Sequence, residues 1–451
     1  MPSPSHPTKR TAAAEVGRHC LRYGALLIGA FVLLNTVVLD TFHIPTGSMA
    51  PALRGHHRVC GCPRCGQEVV VGRASTDTDG KGASRHYRKA FCQNCGLYPI
   101  PLADTLEVAG DKIMVNKIAY VVRSPARWEI VVFRLLGTFY IKRLLGLPTE
   151  DILIHDGDLY VNGQLIRKTF EQAKAMRVLV FDQDCTPTKG WRNRWEFLPS
   201  PLGSGKLILD GRLTPQALTY RHLLSGADKC ESIRDEHAYN GAVHDESECV
   251  HDFMIETDIE VVAGQGSLAL RLCDGHSWVE ILLPVSDKRA AEVFTWSMAA
   301  PEQMRKLADI ERIAPLQSGR RHHIEMALVD RRLSVVVDGH VWPHVDLPEA
   351  KTREGVSRPF QAQADGVRVQ LHGFRLYRDV HYGQQGKNAV RGNSVRLGVD
   401  QYFVLGDNSP NSSDSRYWPD EGRVPAQCLI GSVLLMHRSR AEGAGLRWLS
   451  W

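Results

Sequence analysis

A mainly β protein that follows a single N-terminal apolar helix is the fold class this sequence predicts. Residues 23–39 (YGALLIGAFVLLNTVVL) form one apolar run, with Asn35 and Thr36 tolerable near its outer end, at the short end for a membrane-spanning helix. Apolar and polar residues alternate after Asp111 and again, plainly, from Asp252 onward, the period-two signature of half-buried strands. With 451 residues, 43% of them hydrophobic, there is material for large cores and a size expectation of about three domains, without internal repeats.

The elements follow in chain order. Residues 1–18, rich in Pro, Ser and Ala at their start, form a cytoplasmic tail, and residues 19–40 a single transmembrane anchor. Lys9, Arg10, Arg18 and Arg22 stand before the apolar run against only Glu15, and Asp40 follows it. The positive-inside rule therefore puts the tail in the cytoplasm and the rest of the chain outside, in a single-pass protein of the cell membrane whose other contact is membrane lipid. A cleavable signal peptide is the competing reading, but no small-x-small cleavage site follows the run. The apolar stretch 428–436 is too short to span and suits a core strand. A net charge of +5, without a basic patch interleaved with aromatics, argues against a nucleic-acid partner.

After the anchor comes IPTGSMAPAL (44–53). Pro45 fixes φ and Gly47 permits a sharp turn, so Ser48 is presented on a loop. A serine hydroxyl needs a base to become a nucleophile. His43, His56 and His57 lie close in sequence but carry no paired carboxylate context.

Residues 55–109 form a first insertion with CPRCG and FCQNCG knuckles. Two tight turns of this kind aim four thiolates, Cys62, Cys65, Cys92 and Cys95, at one tetrahedral ion, which points to a structural zinc and leaves Cys60 spare. Disulfides are the alternative on an oxidising side of the membrane. Four thiolates leave no open position for water, so this is not a catalytic centre.

Next stand GDKIMVNK (110–117), a strand headed by Asp111, and FYIKRLLGLP (139–148). Lys142 has Phe139, Tyr140, Ile141, Leu144, Leu145 and Leu147 around it. An ordinary lysine is neutral in about one molecule in 2,500 at pH 7, so a lysine base needs burial that lowers its pKa to about 7, which is roughly 4–5 kcal/mol of differential destabilisation of the ammonium. The alternative is a solvated Lys142-Arg143 pair.

A second insertion, residues 170–393, contains a β-sandwich at about 250–383. Six or more alternating segments separated by turns lie there, and Asp338-Gly339 reads as a hairpin turn. They resemble a concanavalin-type jelly roll, whose ligand, glycan or protein, the fold does not fix. The last motif is GDNSPNSSDSR (406–416).

Taken together, IPTGSMAPAL, GDKIMVNK, FYIKRLLGLP and GDNSPNSSDSR behind one anchor resemble the type I signal peptidases over roughly 20–165 and 395–440. The resemblance implies a signal-peptidase-type β catalytic domain made of 41–169 and 394–440, interrupted by the cysteine ribbon and the jelly roll. It implies a Ser48/Lys142 dyad that removes signal peptides from exported preproteins after small-x-small sites, with no catalytic cofactor. It assigns the oxyanion to the Ser48 amide and the Thr46 hydroxyl, lysine positioning to Ser412, an ion pair to Asp414 and Arg416, and a cleft-shaping role to Asp111. Ser409-Pro410 replaces the charged pair usual in that family. Because each matched element lies outside 250–383, removal of that span is expected to spare hydrolysis of a short peptide. The other reading is a surface binding protein that works through its lectin-like sandwich and keeps an inactive peptidase frame.

Overall fold

The computed structural model describes residues 38–438 apart from 75–84, 104, 187–193, 199–206, 224–229, 242–246, 288, 312–314 and 351, together with 19, 21–26, 29 and 446–448. The expected tail and most of the expected anchor lie outside the described residues. Among the described residues no helix is long and apolar enough to cross a membrane.

The chain is mainly β. Its first sheet runs in the order Leu39–His43, Lys112–Asn116, Leu429–His437, Ile130–Leu135, Thr138–Gly146, Gln401–Leu405 and Val424–Pro425, with Leu446–Trp448 on the side of Leu429–His437. The stretch around 428–436 is thus a core strand. Neighbours in this sheet are antiparallel, and Lys142 stands opposite Val131. A register break between Leu144 and Gly146 lets Thr138–Gly146 bend where it meets Gln401–Leu405. A four-stranded sheet, Gln164–Leu165, Asp158–Val161, Asp151–His155 and Val395–Arg396, packs beside it.

The second insertion is built on two long strands, Phe253–Cys273 and Phe360–Arg378, paired along most of their length. Register breaks, with Gly264 at φ 100° and Gly366 at φ 71°, bend both strands so that each serves two layers. One end of Phe253–Cys273 pairs with Ser277–Val285, the other with Arg321–Val329. Leu268, Leu270, Val279 and Ile281 of one layer share a buried core with Ile255, Ile259, Ile324 and Met326 of the other. Asp338 (φ 50°) and Gly339 (φ 78°) form the hairpin turn read from sequence.

Strands before residue 250 also join this sheet. Val178–Asp182, Leu207–Asp210 and Gln216–Tyr220 all pair with Phe360–Arg378. Removing 250–383 alone would strip these strands of their partner, so that deletion is not the neutral cut the motif positions suggest.

Candidate active site

Ser48 and Lys142, 94 positions apart, meet. Lys142 Nζ lies 2.7 Å from Ser48 Oγ and donates to Ser412 Oγ at 3.1 Å. Lys142 sits on the strand Thr138–Gly146, where alternation puts Tyr140 and Leu144 on its own face, packed with Val131 and Phe133. The lysine is 3% exposed. Burial depresses its pKa; Asp414 and Asp407 oppose that pull and Arg416 assists it, leaving it at about 8. This stops short of the fall to about 7 expected of the base from sequence, because two carboxylates lie within electrostatic reach.

Those carboxylates are each committed to an arginine. Asp414 and Arg416, both fully buried, form a two-pronged pair at 2.9 Å on each side. Arg143 donates to Asp407 at 2.6 and 2.5 Å and to the Trp128 carbonyl. Sequence reasoning missed this second pair; the side-by-side Lys-Arg and the Asp of Gly-Asp-Asn were its only signals. Ser409, where the resemblance shows a departure, is functional for the loop: its Oγ accepts from Arg416 at 2.6 Å and from the Gly383 amide at 2.8 Å, and its carbonyl accepts from Arg416. The serine therefore anchors the arginine to the loop instead of loosening it.

The other expected residues fall as follows. Asp111 is fully buried and accepts from the Arg54 amide at 2.9 Å, while its backbone bonds Ile44 and Arg54, so it clamps the two ends of the Ser48 loop. Thr46 is exposed on that loop, two residues before Ser48. Met49 is 1% exposed and packs with Ile44, Leu53 and Ile113. His56, read from sequence as lacking a carboxylate, stands 3.5 Å from Glu107 in a partly exposed pair. The nitrogen at Ser48 Oγ is nonetheless that of Lys142.

The cysteine knuckles are two copies of one turn. Gly66 N–H donates to Cys62 and Gly96 N–H to Cys92, with both glycines at positive φ (76° and 68°). Cys62 N–H donates to Gln67 and Cys92 N–H to Leu97, so each first cysteine closes its own loop. Between the knuckles the sulfurs of Cys62 and Cys95 lie 3.5 Å apart and those of Cys65 and Cys92 3.6 Å apart, and these cysteines are unbridged. Thiolates on a tetrahedral zinc with 2.3 Å bonds sit about 3.8 Å apart, so this donor set fits one.

Comparisons with known proteins match this architecture to one family. Residues 89–213 and 330–437, just over half of the chain, match the family described as signal peptidase, peptidase S26. The chain is 34% identical over 74 residues to a probable signal peptidase I-2 of Synechocystis, covering 15% of this chain and 34% of that protein. It is 24% identical over 165 residues to signal peptidase I of Rickettsia conorii, covering 36% and 47%. Less than half of either relative is spanned. Among solved structures, a carbohydrate-binding module of Bacillus subtilis aligns with 40% of this chain and 93% of its own, at 13% identity and a TM-score of 0.24, too low to support an argument. With just over half of its residues matched, in two segments of which the second begins inside the sandwich, this chain belongs to the signal peptidase S26 family.

Proposed function

We propose that this protein is a membrane-anchored Ser/Lys endopeptidase that removes signal peptides from exported preproteins. The observation that carries the reading is the 2.7 Å contact between Ser48 Oγ and a buried Lys142 whose pKa lies at about 8. Neutral Lys142 takes the hydroxyl proton as Ser48 Oγ attacks the scissile carbonyl carbon. The Ser48 amide and the Thr46 hydroxyl stabilise the oxyanion that forms. Lys142 returns the proton to the leaving amine, which gives an ester on Ser48. It then deprotonates the water that hydrolyses this ester, with Ser412 holding the amine in place. The Asp414–Arg416 pair keeps the loop rigid and Asp111 shapes the approach. Residues 23–39 supply the anchor, with the catalytic part outside the cytoplasm. The test is cleavage of a signal-peptide substrate by the detergent-solubilised full chain beside Ser48→Ala. Turnover by the variant would remove the mechanism.

Cys62, Cys65, Cys92 and Cys95 would hold a structural zinc that stiffens the knuckle insertion, apart from the reaction. One zinc per chain by elemental analysis, lost in Cys62→Ser and Cys92→Ser, is the expected outcome; metal-free protein with Cys62–Cys65 and Cys92–Cys95 disulfides would refute it.

A further inference from the structure

The second insertion reaches the nucleophile loop itself. A short turn, Ala238–Asn240, buries all three of its residues. Asn240 and Asn408 exchange amide hydrogen bonds: Asn240 Nδ2 donates to Asn408 Oδ1 at 2.9 Å and Asn408 Nδ2 donates to Asn240 Oδ1 at 2.8 Å. Asn408 Nδ2 also donates to the Gly47 carbonyl at 2.9 Å, and the Asn408 amide N–H donates to the Ser48 carbonyl at 3.0 Å. Beside this pair the Tyr239 ring lies flush against Gly47 and Gly72, where an added Cβ would meet Tyr239 Cε1 at 2.2 and 2.1 Å.

The direction of these bonds matters. Gly47 C=O and Ser48 N–H belong to one planar trans peptide and point opposite ways. A donor that holds the Gly47 carbonyl therefore fixes where the Ser48 N–H points. Asn408 can do so only while its amide plane is held, since rotating the amide would turn an oxygen toward the carbonyl. Asn240 supplies both partners that forbid the rotation. Docking alone needs no such pair, because the Tyr239 ring already fills the gap between the two glycines and two buried amides add desolvation cost unless they are fully bonded.

We propose that Asn240 is a positioning residue: through Asn408 it locks the Gly47–Ser48 peptide and so aims the Ser48 amide at the developing oxyanion. The inference rests on the Ser/Lys reading and assigns to the inserted domain a part in catalysis. Full-length protein in detergent would be assayed on a short signal-peptide substrate as wild type, Asn240→Asp, Asn240→Leu and Ser48→Ala. Asn240→Asp is nearly isosteric and faces Asn408 Oδ1 with a second acceptor. Complete loss of an oxyanion donor costs about 10²–10³-fold in kcat, so a misaimed one should cost about 10–100-fold. KM should hold, and the fall in kcat should persist on the high-pH plateau of the rate profile, where Lys142 is neutral whatever the carboxylate of Asn240→Asp does to its pKa. A merely structural role would instead lower the melting temperature and leave kcat per folded molecule unchanged. That result, or a fall in rate that vanishes on the plateau, overturns the inference while an inactive Ser48→Ala keeps the Ser/Lys reading. A cleaving Ser48→Ala overturns both. Asn240→Asp, which changes one side-chain atom, decides the matter even if Asn240→Leu does not fold.

Discussion

Among the described residues two lysines are buried, and they are opposites. Lys142 is 3% exposed and Lys168 is 5% exposed. Burial pushes both pKa values down, yet Lys142 ends at about 8 while Lys168 is raised well above the usual lysine range. The difference lies in the first atoms each amine meets. Lys168 Nζ sits 2.9 Å from both Asp330 and Asp379, and its positive charge is held by theirs. Lys142 meets two hydroxyls, and the carboxylates nearby are already gripped by Arg143 and Arg416. Burial alone does not make a base; burial with the counter-charges occupied elsewhere does.

The surroundings follow the same division. Around Lys168, five aspartates (156, 158, 252, 330 and 379) gather with Arg353, which bonds Asp156 at 2.8 Å and Asp158 at 2.7 Å. Asp156 lies in the turn between two strands of the four-stranded sheet and Asp158 opens the second of them, Asp158–Val161, whereas Asp252, Asp330, Arg353 and Asp379 belong to the sandwich region. This cluster joins the two units by charge. The Lys142 site instead lies on the first sheet, where two serine hydroxyls rather than carboxylates meet the amine.

Substitutions should separate the two lysines cleanly. Ser48→Ala, Lys142→Ala and Lys142→Arg should each lower peptide cleavage by about 10⁴-fold or more, because nucleophile and base act as a unit and a guanidinium stays protonated. Substantial turnover in any of them, measured on folded protein, would erase the contrast. Lys168→Met should show the reverse phenotype. It leaves Asp330 and Asp379 buried without their cation, a loss of about 3–5 kcal/mol in a denaturant titration. The kcat of the folded fraction should be that of wild type. A stability loss below about 1 kcal/mol would mean the cluster is no more than a surface-grade ion pair.

Ser412→Ala tests a finer point, whether the second hydroxyl matters to the base. It removes one of the two contacts that orient Lys142 Nζ, and misplacement on this scale costs about 10–100-fold in kcat. An unchanged kcat would leave the lysine held by packing alone.

What was legible in the sequence follows from how the contacts are made. Ser48, Lys142, Ser412, Asp414 and Arg416 sit in compact motifs, so their types and spacing could be read directly, and the knuckles announce their own turns. Sandwich strands from Asp252 onward alternate strongly. The strands Val178–Asp182, Leu207–Asp210 and Gln216–Tyr220 are only four or five residues long, and a long partner strand stabilises them where their own pattern does not. Asn240 gives no local signal at all, because its meaning arises from a partner 168 residues away. The pKa of Lys142 was legible in direction but not in extent. The apolar neighbours are written beside it, whereas the carboxylates that oppose them arrive from the Gly-Asp-Asn loop.

That extent sets the mildest test of the contrast, the pH profile of kcat/KM for the free enzyme. Lys142 acts when neutral, so the rate should rise with pH as its proton leaves and level off once it is gone. With the pKa at about 8, the neutral fraction climbs from about 9% at pH 7 to about 91% at pH 9, close to a tenfold gain that then flattens. A lysine left at an ordinary value near 10.4 would gain about a hundredfold over the same interval and still be rising at pH 9. A lysine like Lys168, held charged by two aspartates, would show no such limb below pH 10. A plateau by about pH 9 therefore separates a buried base with its counter-charges occupied from a lysine that is solvated or held charged by free carboxylates. A profile still climbing steeply there would mean that Asp414 and Asp407 hold the proton on Lys142 more strongly than carboxylates already paired with arginines should.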